Sequence, residues 1–531
     1  MLFTIIWVVS TLAVIGFALY KYYDGNGDYW SNRGVDSLGK GELASFWDRI
    51  TFKVGIVEFD KRCYKRFQGN KYGGFVQFRD PIFYLMDLDL IKQVFVKDFD
   101  HFMDRRIIDL NKTDILISKM LTNKSGKEWK DLWSIMSPTF TTGKIKRMFE
   151  AFNTCGGKFA NYLRDAEKTD NQIDFQDAFG RYTVDVIASI VFGIETDVFT
   201  NKDNSVFRNM GKKAATITLF RGMKFLLFLI FPKLAKGLGL SLADPESLNF
   251  FTKLIETNIQ KRREPGVQKR HDFLEMMLEA QAGQSKVDEK ELDTFEKDAI
   301  LDNGSTVGKR ELSVVLDDAT VAAQAFLFFF AGFDTIESLL IFSAFELALN
   351  PDVQEKLAQE VVPVMQENKG DLTYEATQKL EYLDMFVSET LRLHPPAFAT
   401  ERKCTQEYKV PDSDVVLPIG TQVLIPINGI HHDEKYYPEP EKFNPEHFSA
   451  ENKAKRHPYA FLPFGQGPRN CIAMRFALTE AKAAIAHLVY NFKVEPSEKT
   501  QIPVKLSNKT TIKKPVDGMW LSFQSRDKSL Y

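Results

Sequence analysis

Read as a string of apolar and polar positions, the middle of the chain repeats its hydrophobic residues at the three-to-four spacing of a helix over 127–136, 175–192, 248–263, 316–349, 353–368 and 375–393. Short runs rich in β-branched and aromatic residues at 74–78, 407–410, 422–427 and 519–524 predict small peripheral strands. The expected class is therefore mainly α with small β-sheets (α+β). The stretch 282–311 is rich in Asp, Glu and Lys and reads as an exposed connection between helices, after which comes the most apolar internal segment.

Two apolar runs stand outside this pattern. Residues 1–20 carry no charge, and about 20 residues rising ~1.5 Å each cover the ~30 Å hydrocarbon core of a bilayer. No basic region precedes the run and no small-residue cleavage site follows it, so an uncleaved signal-anchor is expected rather than a cleaved signal peptide. Lys21, Tyr22, Tyr23, Trp30 and Arg33 follow it, a positive and aromatic flank that places the body in the cytosol. The expected organisation is an anchor at 1–20, a linker at 21–45 and one body over 46–531. The second run, Phe225 to Phe231, lies between Lys224 and Lys233 and is too short to span; it is either a core helix or a surface that dips into the membrane interface.

Composition narrows the function. With 69 Lys+Arg against 71 Asp+Glu, 69 − 71 = −2, the chain lacks the basic surplus of a nucleic-acid binder, and no nucleic-acid partner is expected. A hydrophobic share of 44% excludes a disordered scaffold. Four Cys, at 63, 155, 404 and 471, have no regular spacing, which argues against a disulfide framework and for a reducing compartment. The 45 Phe call for a large apolar interior or an apolar ligand. Phosphate loops, GxGxxG turns, HExxH zinc spacing and GxSxG elbows do not occur.

Near the C-terminus a Gly/Pro-rich loop, Phe464-Gly465-Gln466-Gly467-Pro468-Arg469-Asn470-Cys471, runs into a helical pattern. A lone Cys is more often a buried structural thiol, but here the surroundings point elsewhere. A helix N-terminus favours the thiolate, two glycines let the backbone approach a flat ligand, and Arg469 supplies a cation. With no second Cys or His at cluster spacing, the loop points to a single axial ligand, and haem iron uses one.

The loop resembles the FxxGxRxC haem signature of the cytochrome P450 family, and the resemblance extends over nearly the whole chain. Glu389-Thr390-Leu391-Arg392 matches its ExxR, Pro445-Glu446-His447-Phe448 its PERF-like segment, and Ala331-Gly332-Phe333-Asp334-Thr335 its AGxDT. The resemblance implies the P450 fold, a single large haem-enclosing domain, with haem b (iron protoporphyrin IX) as cofactor and Cys471 as axial thiolate beside Phe464. It implies that Ala331 and Gly332 leave room for O2, that Asp334 and Thr335 relay protons, and that Glu389, Arg392 and His447 form a structural lock. Trp129, Arg105, Arg402 and Arg469 would hold the haem propionates. It further implies apolar substrate-lining segments around 104–114, 220–228, 326–335, 396–400 and 508–512.

The implied activity is insertion of one atom of O2 into lipophilic small molecules, xenobiotic or endogenous. The electrons would come from NADPH through NADPH-cytochrome P450 reductase, with cytochrome b5 as an alternative donor. Lys127, Lys130, Lys144, Lys146 and Arg147, with Lys453, Lys455 and Arg456, are candidates for the basic docking face. The body is most similar to insect microsomal detoxification enzymes, which implies the endoplasmic reticulum membrane with the catalytic domain in the cytosol. Departures from the family pattern are Trp133 in place of a propionate-binding Arg, His447 in place of Arg, Glu337 in place of Thr or Ser, Ala473 in place of Gly, and a first proline only at Pro81. Trp133, His447 and Ala473 together keep open a haem-binding protein with weak turnover; an O2-independent isomerase or dehydratase is the other alternative.

Overall fold

The computed structural model describes residues 28–38, 53–77, 80–106, 114–200, 205–216, 218–283, 313–508, 510 and 512–531, with Trp7, Ser10, Thr11, Val14 and Gly16 ahead of them. Apart from those five residues the expected anchor lies outside the described residues, as does the polar connection from residue 284 on.

Helices of ten residues or more are α1 (Ile56–Phe67), α2 (Gly126–Met136), α3 (Thr142–Glu167), α4 (Phe175–Ile187), α5 (Val206–Ala215), α6 (Leu219–Ile230), α7 (Pro245–Arg262), α8 (Asp318–Leu349), α9 (Pro351–Glu367), α10 (Glu381–Leu393) and α11 (Met474–Asn491). The strands are β1 (Tyr72–Gln77), β2 (Asp80–Leu85), β3 (Gln172–Asp174), β4 (Thr400–Lys403), β5 (Tyr408–Lys409), β6 (Val416–Leu417), β7 (Gln422–Ile425), β8 (Phe492–Pro496) and β9 (Trp520–Ser525). The class is mainly α with small sheets, as the periodicity predicts.

The chain packs as two compact units, Met1–Arg106 with Ala399–Ile430, and Ile107–Phe398 with His431–Tyr531. The first holds a four-stranded sheet ordered β1-β2-β7-β4, in which only the β2–β7 pair is parallel. Two glycines in β1 allow large rings onto the strand: a Cβ on Gly74 would stand 2.4 Å from the Trp30 ring, and one on Gly73 2.5 Å from Phe67. The Trp30 indole donates to Phe75 O at 3.0 Å, and Tyr84 donates to Asp60 at 2.8 Å.

The second unit is built around α8. This helix is long and apolar enough to cross a membrane, yet 67% of its most apolar window is buried inside the protein, which makes it a core helix. Helices α4, α7, α10 and α11 pack on it, and β3, β9 and β8 form an antiparallel sheet at the edge. Much of the phenylalanine surplus is structural: Phe207 and Phe251 pack on Phe329 and on each other, and Phe326 packs on Phe251, with ring centroids 4.5–5.5 Å apart.

Three elements differ from their predicted extents. The 175–192 helix changes to a π-helical turn at Ala188–Phe192 and ends on Gly193 at φ +62°. The 375–393 helix is broken at Leu380, because the Glu360 carboxylate of α9 accepts from the Tyr382 and Leu383 N–H groups at 2.8 and 2.9 Å and so starts α10 afresh. The run at Phe225–Phe231 is neither wholly core nor wholly surface: Phe228 is buried, while Phe220, Met223, Phe225 and Phe231 are exposed.

Candidate active site

Hydrogen bonding pins the cysteine loop. The Cys471 N–H donates to Phe464 O at 2.9 Å, Gly465 N–H to Leu462 O at 3.0 Å and Asn470 N–H to Gly467 O at 3.0 Å, with Gly465 and Gly467 at φ +70° and +77°. Those two backbone conformations favour glycine. The chain then turns into α11 at Met474, and Cys471 is the exposed member of the four cysteines, the other three being buried. Phe464 and Ile472 beside it are partly accessible.

Arg469 is buried under the same loop. Its guanidinium lies 4.6 Å from the Trp129 ring centre and donates to Lys124 O at 2.6 Å. One turn on along α2, Trp133 is buried 6.5 Å from Trp129, and its indole nitrogen has no hydrogen-bond partner among the described residues. Arg105 and Arg402 belong to the first unit, where the backbone pairing of Asp104 with Lys403 makes them neighbours along adjacent segments. Arg402 is fully buried with its guanidinium over Phe95 at 4.6 Å.

Halfway along α8 the burial is interrupted on one face. Phe328, Ala331, Gly332 and Thr335 follow at helical spacing and are accessible or partly so, although most of the helix is buried. Thr335 Oγ1 donates to Ala331 O at 2.7 Å, four residues back. Asp334 is buried and pairs with Lys514, which also pairs with Glu337 at 2.7 Å. The alcohol thus has a carbonyl acceptor one turn back and the acid a charge partner. Lys514 is a site residue that no local pattern announces.

On the other side of α8, Glu389 and Arg392 of α10 form a fully buried bidentate pair at 2.8 Å. Arg392 also donates to the carbonyls of His431, Pro440 and Lys442. His447 completes the group: Nδ1 lies 3.0 Å from Glu389 Oε1 and Nε2 2.9 Å from Pro438 O. Each ring nitrogen faces a polar partner, which fixes the ring from both sides.

Residues 53–521 match the family model for Cytochrome P450. The chain belongs to the cytochrome P450 family. It is 39% identical over 535 residues to Cytochrome P450 9e2 of Blattella germanica, covering 97% of this chain and 98% of that one. It is 34% identical over 516 residues to Cytochrome P450 3A31 of Mesocricetus auratus, covering 96% and 95%, and 33% identical over 515 residues to Probable cytochrome P450 6a13 of Drosophila melanogaster, covering 97% and 98%. As a P450 it is a haem monooxygenase. Its residues fit such a group: an accessible thiol on a tight glycine loop, an accessible apolar face on α8, and a buried indole N–H with no described protein partner.

Proposed function

We propose that this P450 oxidises lipophilic small molecules, and that Cys471 would supply the thiolate that holds haem b. The observation that carries the reading is the accessible Cys471 thiol at the mouth of α11, on a loop whose backbone bonds leave its position little freedom. Phe464 flanks the thiol; Ala331 and Gly332 keep the α8 face low; Trp129, Arg105, Arg402 and Arg469 serve the propionates.

When bound, the haem supplies the redox chemistry that activates O2, one atom going to substrate and the other leaving as water. The chain supplies position and protons. Because Thr335 donates its own hydrogen to Ala331 O, its oxygen keeps lone pairs that can accept from a neighbouring acid. Asp334, next in sequence and buried, would be that acid once it has taken up a proton and left Lys514. Glu389, Arg392 and His447 hold α10 to the following loop and make no proton transfer.

The accessible α8 face is apolar except for Thr335, which supports selection of substrate by shape and greasiness. The electrons come from NADPH through the reductase, with cytochrome b5 as a second donor. Of the candidate docking cations, Lys146, Lys453 and Lys455 pair with Glu375, Asp384 and Glu451, and these three are exposed, as are Lys127 and Arg147. The uncharged 1–20 segment and the exposed phenylalanines of α6 support residence on the endoplasmic reticulum membrane with the body in the cytosol. A reduced-CO difference spectrum tests the ligand: the thiolate-type Soret band is expected, and its retention in Cys471→Ala would overturn the assignment. NADPH consumption with reductase, with and without lipophilic compounds, tests turnover.

A further inference from the structure

The buried ionic cluster behind Asp334 holds one more carboxylate than it holds cations in direct contact. Asp334 and Glu337 lie one helical turn apart on α8, and the Lys514 ammonium is in ion-pair contact with both. All three side chains are buried, Glu337 almost completely. The lysine arrives from a hairpin that is itself anchored to α8. Leu506 pairs with Pro515, Ser507 N–H donates to Lys514 O at 2.8 Å, and Ser338 Oγ donates to Lys513 O at 2.7 Å.

Two carboxylates and one ammonium in a low-dielectric site do not both stay ionised at little cost. Burial, with Asp334 beside it, holds the Glu337 carboxyl above its usual range in spite of Lys514. Burial works against the charge of Lys514, yet the two carboxylates raise it above the ordinary lysine value. The other charged group that Glu337 faces is Lys212 of α5, more distant and half exposed, which in turn lies 3.7 Å from Asp177 and beside Arg208 and Arg181. From α4 the neighbour is Gly180, where even a Cβ would lie 3.4 Å from Glu337 Oε1.

We propose that Glu337 and Lys514 are positioning residues for Asp334: Glu337 stores a proton, passes it to the Asp334 carboxylate, and takes over the Lys514 ammonium as it ionises. The step balances. One O–H bond breaks on Glu337 and one forms on Asp334, the cluster keeps its net charge, and the ammonium follows whichever carboxylate is ionised. Asp334 is then neutral and can turn from Lys514 to Thr335 without stranding a buried charge. Glu337 recovers its proton from solvent on the α5 side, where Lys212 reaches the surface. The proposal rests on the reading of Asp334 as proton donor.

The test uses the full haem-loaded chain and the variants Glu337→Gln, Glu337→Asp, Lys514→Arg and Asp334→Asn. The first readout is independent of turnover. Infrared difference spectra of the resting protein should lose a protonated-carboxyl band in Glu337→Gln and keep it in Glu337→Asp. Glu480, also buried and held far above the usual carboxyl range, is common to both samples and cancels. The absence of any lost band would overturn the proposal.

The second readout is the solvent isotope effect and the pH profile of product formation against peroxide release. Glu337→Gln should divert on the order of tenfold more O2 to peroxide, below the 10²–10⁴ effect of a group in direct proton transfer, and Glu337→Asp should recover most of it. If Asp334→Asn moves the isotope effect and Glu337→Gln does not, the proposal fails while Asp334 keeps its role. If Asp334→Asn moves nothing, the Asp334 reading itself fails. Should Glu337→Gln not retain haem, Lys514→Arg decides: its wider fork keeps the charge but cannot slide between the carboxylates, so an isotope effect and pH profile like wild type would overturn the proposal.

Discussion

Glu389→Gln keeps the shape of the side chain and removes the charge on which four hydrogen bonds converge. Arg392 Nε donates to Oε2 at 2.8 Å, while Arg392 Nη2, Asn444 N–H and His447 Nδ1 meet Oε1 at 2.8, 2.9 and 3.0 Å. All of the donors are in buried or part-buried surroundings, and the Arg392 side chain is 0% exposed. Wherever the glutamine puts its amide NH2, a donor faces a donor. Breaking one side of a buried pair costs ~3–5 kcal/mol, and Arg392 keeps three carbonyl acceptors, so the lower end, about 3 kcal/mol, is expected. At roughly 1.4 kcal/mol per decade that is about a hundredfold faster inactivation if the network is broken at the unfolding barrier. The assay is the decay rate of the thiolate-type CO band at fixed temperature, because a chain this large is judged by a rate rather than an equilibrium. His447→Gln, which leaves the Glu389–Arg392 pair intact, serves as the internal comparison at about 1 kcal/mol. A Glu389→Gln rate within threefold of wild type, or a His447→Gln rate equal to it, would refute the reasoning.

Three further outcomes follow from the packing. Gly156→Ala places a Cβ 2.3 Å from the His487 ring, a rigid group, so a loss of ~1–3 kcal/mol from overpacking is expected in the same decay assay. Burial lowers His487 to about 4, and burial with Arg392 nearby lowers His431 to about 3, from 6.5. The unfolded chain therefore binds more protons below pH 6.5, and stability should be complete above that pH and fall as pH drops toward 4. His487→Gln should remove up to about 3 kcal/mol of the stability lost between pH 6.5 and 4, read as a smaller fall of the thermal inactivation midpoint over that range. Trp133→Arg replaces an indole with a fork of donors beside Trp129, and haem transfer to an apo acceptor should slow severalfold if this position faces a propionate; an unchanged or faster transfer would remove Trp133 from the site.

The long helices were legible because their apolar stripes repeat locally. Helix α3 escaped, although Ile145, Met148, Phe149 and Phe152 keep the period, because Asn153, Thr154, Gly156 and Gly157 interrupt it as a break would. Its Gly156 is there to admit His487 of α11, a reason that lies 331 positions away (487 − 156). Strand β2 escaped for a different cause: lying between β1 and β7 it is buried on both faces and shows no alternation. The break at Leu380 depends on Glu360 of a neighbouring helix, and nothing in 375–393 records it.

The candidate site divides in the same way. The cysteine loop, the Glu389–Arg392 pair and the Asp334–Thr335 pair are short runs that stood out through their resemblance to the family's motifs, and only for Glu389 and Arg392 does the i, i+3 spacing by itself place both groups on one helix face. Tertiary structure alone decided what pairs with Asp334 and Glu337, since Lys514 is 177 positions from Glu337, and what holds Arg469, whose acceptor at Lys124 is 345 positions away. A buried charge must find a partner, but which partner depends on the path of the whole chain, and surface lysines are written in the sequence no differently from buried ones.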